Sequence, residues 1–470
     1  MKKNDFFYLA VIVALTFAAY ANTLDNDFVW DDHFFVFREE VKGFDDIGSF
    51  FIHDTEGVYR PFREVLYVFA YAMFGENAFF YHLMSTILHI GISIVVFFFV
   101  RTLTEKRLLA FLTALFFGLH PVHTEAVSFI TSSFDNFGVL FMFLSLFFYV
   151  DSRKLLSLLF FVLGVFSYEP VVVMPWLIVL IDLFKGESLK TKIKAYTPYF
   201  IITGIFIFIR FFLIGVISRS EPLGASYLLT LLTMPFVFVR YVLLLLVPFG
   251  LSVNHEVIFA HGLFEFWVLF PIVCLIGLAA FGIYMLNRNN IVFFVVSWLL
   301  ITLLPFSNIL PLQRLIAEVY LYIPSFGFCL LLAFVLIRFR RKTGNILFIF
   351  IVIFLAFGCL ALTVKRNNDW QDDLSLWTAT VKTSPNSSKA HNNLAVEYEK
   401  LGEMDRAIEE YLTSIKLNPK RVNPYISLGA VYYKLGNYTL AKQYWGAAVE
   451  LDPSQDKIRN NLRILQEQGY

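Results

Sequence analysis

Over its first 364 positions the chain arranges its apolar residues in long blocks separated by short polar clusters. The blocks run 6 to 22, 79 to 100, 108 to 119 with its flanks, 137 to 150, 155 to 166, 171 to 184, 197 to 217, 263 to 286, 291 to 305, 315 to 337 and 345 to 364. They approach the roughly 20 apolar residues that span a bilayer, so they predict membrane-crossing helices. The segment 225 to 247 is apolar as well. From Trp370 the composition becomes polar and an internal period appears.

Composition supports the membrane reading. The 470 residues are 58% hydrophobic and include 56 phenylalanines, and the mean hydropathy is +0.66. That is too apolar for a water-soluble domain of this size. A net charge of +1 gives no support for a nucleic-acid partner. Cys274, Cys329 and Cys359 all fall inside apolar blocks, so they read as packing residues rather than a disulfide framework. Lys2 and Lys3 precede the first block without an obvious small-residue cleavage site after it, the pattern of an uncleaved anchor.

Charge then sets a topology. Basic residues gather in alternate loops: Lys2 and Lys3, RTLTEKR (101 to 107), DSRK (151 to 154), KGESLKTKIK (185 to 194), NRNN (287 to 290) and RFRRK (338 to 342). The excess of Lys and Arg places these loops in the cytoplasm. One extra crossing at 225 to 247 would move the last two outside, so that segment reads as re-entrant, interfacial or doubly crossing. The count is then about eleven net crossings, with the N-terminus inside and the C-terminus outside. The other polar clusters all fall on the outer face: WDDH (30 to 33), YRPFRE (59 to 64), HPVHTEAV (120 to 127), SFDN (133 to 136), SYEP (167 to 170) and SNILPLQRLIAEVY (307 to 320). Distant parts of the chain thus meet at one membrane surface. The longest loop between spans, 23 to 78, carries Trp30 and many Phe and Tyr residues suited to the headgroup level.

The polar part repeats every 34 residues. Pro385, Pro419 and Pro453 keep that spacing, as do Gly402 and Gly436, Leu394 and Leu428, Tyr398 and Tyr432, Ala407 and Ala441, and Trp377, Tyr411 and Trp445. A helix-turn-helix repeat of this length, with LGAVY followed by Ala441, Trp445 and Pro453, is the tetratricopeptide (TPR) signature. Two full repeats, 386 to 419 and 420 to 453, are flanked by helices at 371 to 383 and 454 to 468 that act as caps. The expected fold is all-α: a polytopic helical membrane domain over 1 to 366 and a short TPR α-solenoid over 367 to 470. Such an array presents a concave surface to peptides or proteins; the alternative for so short an array is that it only packs against the membrane domain or a twin subunit.

FVWDD, YRPF, HPVHTEAV with a downstream Asp, SYEP with a later Pro, PFGLS, and SN with AEVYLYIPSFGF occur in that order, ahead of the repeats. Together they resemble the transmembrane and tetratricopeptide-containing (TMTC-like) protein O-mannosyltransferases, which belong to the GT-C glycosyltransferases. The resemblance implies a GT-C type membrane domain. It also implies an enzyme that takes a sugar, mannose in the family, from a polyprenyl or dolichyl phosphate and transfers it with inversion outside the cytoplasm. The acceptor would be a protein Ser or Thr. The chain departs from the family pattern at three positions: Ser133 and Val319 stand where Arg is expected, and Tyr168 where Lys is expected. Those are cations, the groups that would hold a departing phosphate.

A lipid-linked sugar phosphate carries its own leaving group, so the chemistry needs a base for the acceptor hydroxyl and a positive clamp for the phosphate. Single displacement needs no covalent nucleophile. Asp31 and Asp32 would point apart in an extended chain; by analogy with the acidic pair in the first external loop of GT-C enzymes, Asp31 is the expected base and Asp32 the orienter of acceptor or base. An acidic pair in a loop is also an ordinary solvated turn or helix cap. Candidates for the phosphate and sugar are Arg60, Arg63, Arg210, Arg240 and Arg314, because Arg grips phosphate bidentately. Arg210 and Arg240 lie in apolar runs where a cation needs an anionic partner or snorkels to the headgroups. His120, His123, Glu125, Asp135, Glu169, Glu318 and Tyr320 are expected to line the cavity, or to cap spans that end at the interface. HPVH is not a metal motif of the HExxH kind, so no metal or other cofactor is expected.

Two rival classes remain. A lipid or sugar flippase would show paired, broken spans in two related halves, a symmetry not visible here. A non-catalytic scaffold would present its repeats and keep no working site. Localisation follows from topology alone: multi-pass, in a bacterial plasma membrane or the endoplasmic reticulum, with membrane lipids, a lipid-linked sugar and an acceptor polypeptide as expected partners.

Overall fold

The computed structural model describes residues 3 to 218, 226 to 286 and 288 to 468. Lys2 and Asn287, members of two of the basic clusters, lie outside them. Among the described residues the chain is helical, without a β-strand. It divides into two compact units, one of Met1–Phe249 with Val257–Gln371, the other of Gly250–Glu256 with Asp372–Tyr470.

Among the described residues of the first unit, seven helices are long and apolar enough to cross a membrane: Asp5–Asp25, Ala78–Thr104, Ile130–Val150, Leu189–Leu213, Tyr227–Leu246, Phe266–Met285 and Asn345–Trp370. An eighth candidate is the pair Arg107–Leu119 and Pro121–Ser128, bent by 51°. The bend has a local cause. Pro121 cannot donate a backbone hydrogen bond, and the residue before a proline is pushed out of the helical region; His120 accordingly sits at φ −69°, ψ 125°. The blocks at 155 to 166, 171 to 184 and 291 to 305 form the shorter helices Lys154–Ser167, Met174–Lys185 and Asn290–Leu303. In the block at 315 to 337, only the part from Ser325 is a long helix, Ser325–Thr343; Glu318–Leu321 is a single tight turn.

Two features aim the polar segments expected on the outer face. Helices Ile130–Val150 and Lys154–Ser167 cross at Gly138 and Gly164: a Cβ on Gly138 would collide with Tyr168 and come within 3.2 Å of the Gly164 carbonyl. The close crossing fixes where Tyr168 and Glu169 emerge. The first loop has a core of its own, in which Phe28, Val36, Val41 and Phe50 pack with Tyr67, Val68 and Tyr81 and with Ile130 and Phe134. It is therefore a folded cap rather than a floating loop, built around the helix Pro61–Phe74 with its proline in the first turn.

Among its described residues the second unit stacks six helices: Asp373–Thr383, Ser388–Lys400, Met404–Leu417, Asn423–Lys434, Tyr438–Leu451 and Asp456–Glu467. Gly402 and Gly436 take positive φ (77° and 75°) between paired helices, the left-handed conformation glycine adopts without steric cost. Trp445 packs on Gly429, where a Cβ would strike the indole, and its Nε1 donates to the Ile426 carbonyl. Gly250–Glu256 is tied to this unit by Ser252 on Ser384 (2.9 Å), by Asn254 on Ser387, and by the Asn386 N–H on Glu256 (2.7 Å).

Candidate active site

Asp31 and Asp32 lie in a tight turn. The Asp32 N–H donates to the Val29 carbonyl (3.0 Å), and the Val29 N–H returns a bond to Asp32 Oδ2 (3.2 Å). Between them Trp30 takes φ 54°, a left-handed conformation that costs a non-glycine residue about 1–2 kcal/mol. Asp32 Oδ1 accepts from both the backbone N–H (2.7 Å) and the hydroxyl (2.6 Å) of Thr131. Asp32 is fully buried. Burial pushes its carboxyl up to about 7, against the opposing pull of the Thr131 and Val29 bonds. The two carboxylates do diverge, but the chain here is a turn opening a short helix, Asp32–Phe35, not an extended segment. Asp32 faces inward onto Thr131, and Asp31 lies on the wall of a cavity.

That cavity, of about 220 Å³, is lined by Asp31, Arg60, Arg63, Asp135, Glu169, Arg210, Arg314 and Tyr320, with Phe35, Phe129, Thr131 and Ser132 between them. Its charges alternate. Arg38 pairs with Glu64, Glu64 with Arg63 (2.9 Å), and Arg63 with Asp135 (3.2 Å). Asp135 pairs with Arg60 (2.5 Å), Arg60 with Glu169 (3.5 Å), and Glu169 with Arg210 (3.3 Å). Burial works against the Arg60 charge, but Asp135 and Glu169 outweigh it and hold the guanidinium protonated more firmly than an ordinary arginine. At the end of the chain Arg38 is lowered to about 10 by burial and the nearby Arg63. Arg314 reaches the cavity from the other side, paired with the buried Glu125 (2.6 Å). The second Glu125 oxygen accepts the N–H groups of Glu318 (2.8 Å) and Val319 (3.2 Å), which pins the turn beneath the site.

Other sequence candidates lie elsewhere. His120 Nε2 donates to the Leu245 carbonyl (3.0 Å) while Nδ1 accepts from the Val122 N–H (3.2 Å). His123 bonds the Ser325 hydroxyl (2.7 Å). Both imidazoles sit inside the bend, clear of the cavity wall. Glu125 stands one layer behind it; Glu318 pairs with Arg366 (3.5 Å). Arg240, half-buried on Tyr227–Leu246, is not on the wall. His33 is exposed and leans on Phe37. Of the three departures from the family pattern, Tyr168 and Val319 line the cavity, with the Arg60 guanidinium 4.9 Å from the Tyr168 ring centre. Ser133 instead bonds the Ile130 carbonyl (2.8 Å). Sequence reasoning missed Arg38 and Thr131; for Arg38, another arginine in the same aromatic loop, the signal was available.

Beside the charged cavity runs an apolar groove of about 440 Å³, lined by Phe51, Ile52, Tyr59, Phe62, Val162, Phe166, Ile209, Leu213 and Ile214. The two share a wall. Tyr59 precedes Arg60, Ile209 precedes Arg210, and the Tyr59 N–H points to Glu169 Oε1 (3.4 Å).

These features define a multi-pass helical membrane protein with a charged pocket in its membrane unit and tetratricopeptide repeats in the other. A TPR repeat model matches 397–436 and a tetratricopeptide repeat model matches 422–455. The resemblance to the TMTC family is borne out over most of the chain. It is 25% identical to a protein O-mannosyl-transferase of Caenorhabditis elegans, covering 82% of this chain and 59% of that one. It is 22% identical to protein O-mannosyl-transferase TMTC3 of Mus musculus (88% and 51%) and 23% identical to its Homo sapiens counterpart (86% and 50%). The chain thus spans about half the length of the curated relatives it matches.

Proposed function

We propose that this chain is an inverting glycosyltransferase of GT-C type that moves a sugar, mannose by likeness to its relatives, from a polyisoprenyl phosphate to a protein hydroxyl. The observation that carries the reading is the shared wall between a pocket of alternating arginines and carboxylates and an apolar groove. A lipid-linked sugar phosphate has the same two halves. In this reading the isoprenoid lies along Tyr59, Phe166 and Ile209, and the phosphate sits among Arg60, Arg63, Arg210 and Arg314. Asp31 accepts the proton of the acceptor hydroxyl as its oxygen bonds to the anomeric carbon from the face opposite the phosphate. The bond from that carbon to the phosphate oxygen breaks, the configuration inverts, and polyisoprenyl phosphate leaves with the bonding pair, its charge met by the arginines. Asp32 orients the turn that carries Asp31. No further cofactor is needed for this balance. The basic loops put the N-terminus in the cytoplasm and the repeats outside, where they hold the acceptor polypeptide.

Purified protein is to be incubated with a panel of polyprenyl-phosphate sugars and an acceptor peptide. Transfer from at least one donor is expected, with Asp31→Asn slowing turnover by about 10²–10⁴-fold at wild-type thermal stability. An accepted donor whose turnover ignored that substitution would remove Asp31 as the base. A second reading, a membrane scaffold without catalysis, is favoured by Tyr168 and Val319 occupying two cavity positions where family cations are expected, and by the carboxylate partners of the cavity arginines. Absence of transfer with every donor would select it.

A further inference from the structure

Trp30, the residue before Asp31, is one layer of a stack. Its ring lies on Phe129 (centroids 5.4 Å apart, planes 13° apart), and Phe129 lies on Trp370 (5.3 Å, 24°). Arginines close both ends: Arg314 is 5.4 Å from the Trp30 ring centre and Arg366 is 5.9 Å from that of Trp370. Trp370 is fully buried, and its Nε1 meets no acceptor among the described residues. Its place is therefore set by packing, not by a hydrogen bond. The backbone around it is tied to the same loop: Asn26 Nδ2 donates to the Trp370 carbonyl (3.0 Å) and the Asp27 N–H to the Gln371 carbonyl (2.9 Å).

We propose that Trp370 is a positioning residue for Asp31, holding the left-handed Trp30 turn through Phe129 so that the carboxylate faces the cavity. The proposal rests on the glycosyltransferase reading for its kinetic consequence, not for its geometry. The Trp30 backbone conformation is unfavourable for a tryptophan by itself. Beside the hydrogen bonds between Val29 and Asp32, the ring's seat between Phe129 and Arg314 helps to keep it, and Trp370 is the floor of that seat. Removing the floor leaves the phosphate-facing arginines in their ion pairs but frees the turn. The loss thus falls on the proton-accepting step rather than on donor binding.

The test uses the full chain in detergent. Trp370→Leu is expected to lower kcat between about 10-fold and 100-fold with the donor KM within about twofold, while Trp370→Phe, which keeps a ring in the stack, retains most of the turnover. Unchanged kcat in Trp370→Leu, or a loss carried by KM, overturns the proposal. A second readout needs no enzymatic activity and so separates this proposal from the functional reading. In a chain with Cys274, Cys329 and Cys359 replaced by Ser, Asp31→Cys is labelled with a water-soluble thiol reagent, with and without Trp370→Leu. A change in labelling rate of about fivefold or more supports the coupling even if no donor is turned over; equal rates in both backgrounds refute it.

Discussion

Two neighbouring carboxylates show how burial divides labour. Asp31 borders the cavity, whereas Asp32 is sealed from water and accepts three hydrogen bonds. Its carboxyl, raised to about 7 by burial, keeps its proton in the folded chain across a range where an unfolded Asp has lost it. Between about pH 4 and pH 7 the folded state therefore binds more protons, and this group's contribution to stability falls as pH rises through the window. Thermal unfolding midpoints measured from pH 5 to 8 should show a downward component in the wild type that Asp32→Asn removes. Parallel pH curves for the two proteins would mean that Asp32 is ionised in the fold at ordinary carboxylate pH. Sequence made the pair visible, but not which member is sealed, because that depends on Thr131, 99 positions away.

Elements are placed by close approaches the hydropathy pattern does not record. Gly138 is one glycine inside an apolar run, yet it lets Ile130–Val150 lie against Gly164 and Tyr168. Gly138→Ala should destabilise the protein by about 1–3 kcal/mol, because the backbone of Tyr168 cannot move aside as a flexible side chain would. A lowered detergent unfolding midpoint checks this; an unchanged midpoint would show that the crossing has slack. Most of the long helices were legible, since a block of apolar residues reports itself locally, but Pro61–Phe74 lies in a segment read as loop and 225 to 247, left open as re-entrant, interfacial or doubly crossing, contains the single helix Tyr227–Leu246. The length of each helix was less so. Val319 sits in an apolar block at 315 to 337, but Glu125 takes its N–H and that of Glu318, and the segment becomes a tight turn that forms cavity wall.

At the scale of the molecule, the two units divide at Gln371, with Gly250–Glu256 joined to the repeats. The orientation expected from the basic loops has a direct check. The repeats contain Asn437-Tyr438-Thr439, with Asn437 exposed, and Asn386-Ser387-Ser388. Asn-X-Ser/Thr is accepted by the lumenal glycosylation machinery, so chain translated into endoplasmic-reticulum microsomes should gain an endoglycosidase-sensitive mass. Thr439→Ala with Ser388→Ala should abolish the gain. Unmodified wild type in sealed microsomes would place the repeats on the cytoplasmic side.

Sequence alone determined what depends on neighbours along the chain: the apolar blocks and the 34-residue repeat. Each follows from hydropathy or periodicity, and these act within a few turns. Only the tertiary structure decided which charges meet and which hide. Arg60 between Asp135 and Glu169, Arg314 against Glu125, and Trp370 stacked through Phe129 on Trp30 are contacts between remote segments. Their pairing is set by which ions remain buried once the helices close, where an unpaired charge costs far more than on a surface, and no local pattern encodes that competition.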